Sequence, residues 1–156
     1  MPFAVDLAAL HASRARVLAL FADPAAPGLE RPYAPGKWTG REVLLHIADT
    51  EAVILERVRR SLAEPQPVLW TFDQDEWTRH LARGRDLRLA AALFTAARDS
   101  IIEIAGLVDP ARLERPVVHT AIGRMRAGDW INAAAGHADH HIAQAEAAVA
   151  GRDWMP

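Results

Sequence analysis

The sequence contains no cysteine, which removes disulfide bridges, thiolate metal ligands and a cysteine nucleophile together. Any sulfur chemistry would have to use a thiol brought in from outside. A strong charge imbalance is also missing: 18 basic and 20 acidic residues leave a net charge of -2. The densest basic group, Arg57, Arg59 and Arg60, has no aromatic residues interleaved with it, so a nucleic-acid partner is not expected. No apolar run approaches the roughly 18 residues a membrane-spanning helix needs, so no membrane partner is expected either. The opening residues MPFAVDLAALHASRARVL show no basic leader followed by an apolar block and a small-residue cleavage site, which predicts residence in the cytoplasm. Serine occurs only at Ser13, Ser61 and Ser100, none within a G-x-S-x-G elbow. Walker and dinucleotide-binding glycine motifs are absent as well.

What is present fits a single domain spanning residues 1–156, the size at which one continuous core can be buried. Four segments carry helical periodicity. The first runs from about Asp6 to Ala22, with Leu7, Leu10, Val17, Leu18 and Phe21 forming an apolar stripe. The second is announced by Thr39 and Glu42 in a T-x-x-E capping box and continues to about Ala63. The third begins after Asp86 and carries Ala90, Leu93, Ala97, Ile101 and Ile104 at bundle-type spacing. The fourth runs from about Gly128 to Ala150 and stops at Gly151. Between the second and third lies a long connection with one short helix starting near Asp73, which suggests a crossover and not a tight hairpin. DPARLERPVVHTAIGRMR, between the third and fourth, reads as one helical turn from Pro110 and then an extended excursion. The architecture that fits is an all-α four-helix bundle.

Three of the seven histidines fall within GHADHHIAQ, Gly136 to Gln144. Each helical residue turns about 100°, so His137 and His141 at i and i+4 share one face, and two imidazoles so placed can bind one divalent ion. His140 sits about 60° away, toward the rim. The zinc-protease pattern H-E-x-x-H fails because Ala138 occupies the glutamate position. A di-iron carboxylate bundle fails too, since Glu42/His46 and Glu76/His80 stand at i, i+4 and not at i, i+3. Alone, H-x-x-x-H also describes histidines hydrogen-bonded at a helix seam, and a third ligand is needed. The candidates are His11, His46, His80 and His119. His46 lies one turn into a well-capped helix, where it can point into the bundle. His80 and His119 sit in connections and read as surface residues, and His11 lies off its apolar stripe.

PGKWTGREVLLHIADTE (Pro35 to Glu51), FDQDEW (Phe72 to Trp77) and GHADHHIAQ, in that order, resemble the DinB/YfiT-like superfamily from about Pro35 to Gly151. The resemblance implies a four-helix bundle with up-down-down-up connectivity and a long crossover between helices two and three. It implies a metal triad of His46, His137 and His141 holding a divalent ion, zinc or nickel, with an open coordination position. Characterised relatives include thiol-dependent isomerases and transferases, so a low-molecular-weight thiol cosubstrate, a small-molecule substrate and a homodimer are expected. Metal-dependent hydrolysis is the alternative chemistry, and a non-catalytic metal-binding or interaction module, closed by a fourth ligand such as His140 or His119, is the alternative class. Around the triad, His140, Arg57 and Asp49 are the candidate substrate-binding or supporting residues. Arg57 falls about 20° around the helix from His46, either clamping a substrate carboxylate or solvated and ion-paired. Asp49 flanks His46 and is a candidate hydrogen-bond partner for an imidazole N–H. Trp38, Trp70 and Trp77 read as wedges holding the connections to the bundle.

Overall fold

The computed structural model describes residues 3–155. Four long helices form the bundle: α1 (Leu7–Phe21), α2 (Gly40–Ala63), α4 (Leu87–Leu107) and α6 (Asp129–Val149). Between them lie α3 (Gln74–Leu81), the single turn α5 (Pro110–Leu113) and a three-stranded sheet of β1 (Val68–Leu69), β2 (Pro116–His119) and β3 (Gly123–Arg126). The helix boundaries follow side-chain chemistry. Asp6 accepts from Ala9 N–H, Asp73 from Glu76 N–H and Asp86 from Arg88 N–H, each capping a helix start. At α2, Thr39 accepts from Glu42 N–H while the Glu42 carboxylate accepts from Thr39 N–H, completing the capping box. Helix α6 closes on Gly151 at φ +69°, where Arg152 N–H and Gly151 N–H donate to Ala147 and Ala148 carbonyls. That pair of bonds is a Schellman motif, which calls for a residue without a Cβ.

Two apolar clusters fix the direction of each helix. One gathers Val17 and Phe21 of α1, Val43, Leu44, Leu45, Ile47 and Ala48 of α2, Leu87, Ala90 and Phe94 of α4, and Ala138, Ile142 and Ala145 of α6. The other gathers Leu10, then Ile54, Val58 and Leu62, then Ile101, then Trp130, Ile131 and Ala134. Helix α1 therefore runs from the second cluster to the first, α2 and α4 run back, and α6 returns: up-down-down-up. Helix α2 packs against α4 and α6, and α1 packs against the same two from the opposite side, so α1 and α2 are diagonal.

Two stripes differ from the sequence reading. Leu7 is exposed, and the buried α1 position between Leu10 and Val17 is Ser13. On α4, Leu93 is exposed while Phe94 and Arg98 are buried. The two buried polar residues, Ser13 and Arg98, belong to one network. The fully buried Arg98 guanidinium donates Nε–H to Glu51 Oε1 at 2.6 Å and Nη2–H to Glu51 Oε2 at 2.9 Å. Its remaining bonds go to Ser13 Oγ at 2.6 Å, Leu10 O at 3.1 Å and Ala134 O at 2.7 Å. One arginine thus ties all four bundle helices together.

The excursion after α5 is a β-hairpin: β2 pairs antiparallel with β3 and parallel with β1. Val117 and Leu69 are buried in the second cluster with Leu113, so the sheet covers one end of the bundle. Thr71 N–H donates to Thr120 Oγ1 at 2.9 Å, tying the crossover to the hairpin. Among the described residues no helix is long and apolar enough to cross a membrane.

Candidate metal centre

His46, on the second turn of α2, and His137 and His141, one turn apart on α6, meet across the α2–α6 interface. Each offers one ring nitrogen, and the three atoms lie within 4.8 Å of one another. His46 and His141 are buried and His137 is half-buried. His46 Nε2 and His137 Nε2 are 3.0 Å apart. On the outer side, His141 Nδ1–H donates to the buried Gln144 Oε1 at 2.7 Å, which leaves Nε2 with its lone pair. Thr50 Oγ1 lies 3.4 Å from His46 Nδ1, while His137 Nδ1 is buried without a hydrogen-bond partner among the described residues. The Trp38 ring covers the cluster, its centroid 4.9 Å from that of His46 and 6.4 Å from that of His141.

Burial and crowding keep these rings neutral. Burial, then His141 and His140, push the His46 pKa down to about 3. Burial, the other two rings, His140 and Arg98 push His137 to about 2. Burial lowers His141 to about 4 despite its bond to Gln144, with His140 adding to the fall. No carboxylate is among the groups acting on them. The donor set fits a first-row divalent ion: neutral imidazoles are its preferred nitrogen ligands, and a 3.0 Å nitrogen–nitrogen separation is what bonds of about 2.0–2.1 Å produce at angles near 90–100°. Among the described residues no fourth histidine, aspartate or glutamate joins the group.

The centre opens on two sides. A cavity of about 570 Å³, reached past His137, is lined by Thr50, Arg57, Phe72, Gln74, His119 and Ile122 among others. A second, of about 360 Å³, is bounded by Trp38, Tyr33, Gln74, Asp75, His140 and His141.

The remaining sequence candidates divide. His140 is an exposed rim residue, edge-on to His141 and Trp154. Asp49 does not support an imidazole: its carboxylate accepts both arms of Arg85, at 2.6 and 2.8 Å. Among the described residues Arg57 has no ion-pair partner, and it is not a surface side chain. It is buried, donates Nη2–H to Trp70 O at 2.8 Å, and stacks 4.6 Å from the Trp130 ring centroid. His119 is not a surface residue but buried on Trp130, its Nδ1 accepting from Ala121 and Ile122 N–H at 3.2 Å each. His80 is exposed beside Glu76, and His11 is exposed. The Trp70 side chain, 70% exposed, wedges nothing; its backbone carbonyl does the holding. Phe72 and Trp77 pack on each other with centroids 4.7 Å apart, and Asp73 caps α3. Sequence reasoning missed Gln144 and Thr50. Each lies one turn, three or four residues, beyond a histidine, and that spacing was the available signal.

Comparison with known proteins gives a consistent picture. The family model described as the DinB superfamily matches residues 9–145. Among curated proteins, "Putative metal-dependent hydrolase OB0782" of Oceanobacillus iheyensis is 26% identical over 126 residues, covering 81% of this chain and 73% of that protein. OB0413 of the same organism, described in the same words, is 22% identical over 78% of this chain and 70% of its own length. Among solved structures, YfiT from Bacillus subtilis, "a probable metal-dependent hydrolase with an unusual four-helix bundle topology", superposes with a TM-score of 0.81 at 21% identity. That match covers 90% of this chain and 81% of YfiT. TT2238, a four-helix bundle protein, gives 0.61 at 25% identity, covering 90% and 94%.

Proposed function

The chain belongs to the DinB superfamily, and from that premise we propose that it is a divalent-metal-dependent enzyme whose ion, zinc or nickel, is held by His46, His137 and His141. The observation that carries this reading is the convergence of three neutral imidazoles within 4.8 Å, with no fourth histidine, aspartate or glutamate of the described residues in the group, beside a cavity. A structural zinc site is closed by four protein ligands, whereas three leave a position for a reacting molecule. When bound, such an ion lowers the pKa of a thiol or water at that position. The chain's own part is to hold the rings and shield them: Gln144 fixes the tautomer of His141, and Trp38 covers His46.

The reaction we infer is S-transfer or isomerisation with an external low-molecular-weight thiol. A thiol starts near pKa 8.5, roughly seven units below water. The lower starting value makes a thiol the easier of the two to ionise at such an ion. The absence of cysteine agrees with a thiol that arrives as cosubstrate. The hydrolase names of the curated relatives favour a second reading, hydrolysis of a small molecule. On the same footing we read the protein as cytoplasmic and as a homodimer, and sedimentation of the purified chain checks the second.

Elemental analysis after loading with zinc or nickel tests the centre. About one ion per chain is expected in the wild type, lost in His46→Ala and His141→Ala with helicity retained. Equal metal in all three proteins would make the histidines structural. The loaded wild type is then offered thiols with an electrophile, and esters or amides without a thiol, which separates the two chemistries.

A further inference from the structure

The 570 Å³ cavity runs from His137 at one end to Arg57 at the other. Arg57 is only 7% exposed, and burying a charge is costly unless it is paired. Among the described residues no carboxylate comes within ion-pair distance of it, and of the five N–H donors of a guanidinium only Nη2–H is engaged, by Trp70 O at 2.8 Å. Trp130 and Phe72, with centroids 4.6 and 5.8 Å from Cζ, hold the plane of the group. Aromatic faces offset part of the charge without occupying its N–H donors. Next to it, His119 lines the same cavity. Its Nδ1 is an acceptor for two backbone N–H groups, which places the ring proton on Nε2, a buried donor with no acceptor. The free donors of Arg57 leave this end of the cavity short of an anion, and the enclosed His119 Nε2–H beside it is unmatched as well.

We propose that Arg57 anchors a carboxylate of the small molecule that reacts at the histidine centre, with His119 positioned beside it as the second donor. The planar fork of arginine matches a carboxylate, and the apolar walls, Phe72, Ala121 and Ile122, suit a hydrocarbon chain between carboxylate and reacting atom. Arg57 follows His46 by eleven residues, about three turns or 16 Å along α2. Its side chain leans back toward the helix N-terminus, so the carboxylate stands on the order of 10 Å from the triad. Ions as small as acetate cannot reach both ends; chains of about six carbons or more can. This substrate class rests on the metal-enzyme reading, but the anion site itself does not need the metal.

The test therefore uses metal-free protein. Hexanoate and 1-hexanol are titrated by calorimetry, and the arginine Nε–H resonances are followed by NMR. Hexanoate is expected to bind at least about tenfold tighter than hexanol, with the Arg57 Nε–H signal shifting on addition. Arg57→Met should erase the preference while leaving zinc loading as in the wild type. Equal affinity for the two probes in wild type, or a preference that survives in Arg57→Met, overturns the proposal. If that variant does not fold, the wild-type Nε–H shift decides: its absence refutes the anchor. A hexanoate preference in a protein that never loads metal would retain the anion site and reject the metal-enzyme reading, so the two failures are distinct.

Discussion

Replacing Arg98 by methionine removes the cation from a pocket in which Glu51 is also fully buried, both side chains being 0% exposed. The Glu51 carboxylate then loses the 2.6 and 2.9 Å bonds that offset its desolvation. Leu10 and Ala134 carbonyls lie inside helices, and Ser13 Oγ–H still donates to Ala9 O at 2.8 Å, so the stranded carboxylate dominates the cost. Orphaning one member of a buried ion pair costs about 3–5 kcal/mol, against a total of about 5–15 kcal/mol for a domain of this kind. With a urea dependence of about 2 kcal/mol per M, the unfolding midpoint should fall by about 2 M. The double variant Glu51→Leu, Arg98→Met leaves no charge behind and fills the site with apolar volume. It should recover at least about 2 kcal/mol of that loss. Urea unfolding followed by circular dichroism measures all three proteins, and Arg98→Met should also bind zinc more weakly, because Ala134 and Glu51 hold α6 against α2 beside the histidines. A double variant as unstable as the single one would refute this reasoning, because the loss would then come from packing and not from a stranded charge.

Gln144→Leu removes the acceptor that orients His141, so zinc affinity measured by chelator competition should drop about 10–100-fold with helicity unchanged; an unaltered affinity would show that the ring needs no partner. The metal-free protein should also be acid-sensitive in a defined window. His46, His137 and His141 stay neutral in the folded chain down to about pH 3, 2 and 4, whereas unfolded histidines protonate near pH 6.5. The unfolded chain therefore binds more protons below that pH, and stability falls as pH drops from 6.5 toward 4, by up to about 1.4 kcal/mol per unit for each ring. Urea midpoints at pH 7.5, 6.0 and 5.0 should show this slope, and a protein with all three histidines changed to alanine should lose most of it.

Where the sequence was legible, a local rule decided the outcome. The T-x-x-E box at Thr39 and Glu42, the aspartates before α1, α3 and α4, and the glycine ending α6 act through side chains within a few residues of the backbone groups they satisfy. His137 and His141 were readable as a pair for the same reason, and the family resemblance supplied His46 as the partner the structure brings to them. The misread residues are those whose fate depends on another part of the chain. Asp49 is turned from the histidines by Arg85, thirty-six positions away. Arg57 is enclosed by Trp130 and the Trp70 carbonyl, and His119 is buried only because the hairpin folds its turn against Trp130. Leu93 looked like core by spacing, but the buried ion pair rotates the seam of α4 so that Phe94 and Arg98 face inward. A charged residue at a core-facing position of α4 was the one local hint, and its partner Glu51 sits on a different helix.

The topology and the site have a common origin. In a simple up-down-up-down bundle the second and fourth helices are diagonal, and histidines on them would face each other across the full core. Here α2 and α6 are direct neighbours, so His46 reaches His137 with Nε2 atoms 3.0 Å apart. That arrangement has a geometric cost: α2 and α4 run in the same direction, and α4 must reach α6 across the diagonal, so neither pair can be joined by a tight turn. Two of the connections are α3 with its flanking residues and the hairpin. They supply Phe72 and Gln74 on one side and His119 and Ile122 on the other, which wall the cavity beside the histidines. Gln74 also bounds the second cavity, against Trp38 and His141, so the start of α3 stands between two approaches to one centre.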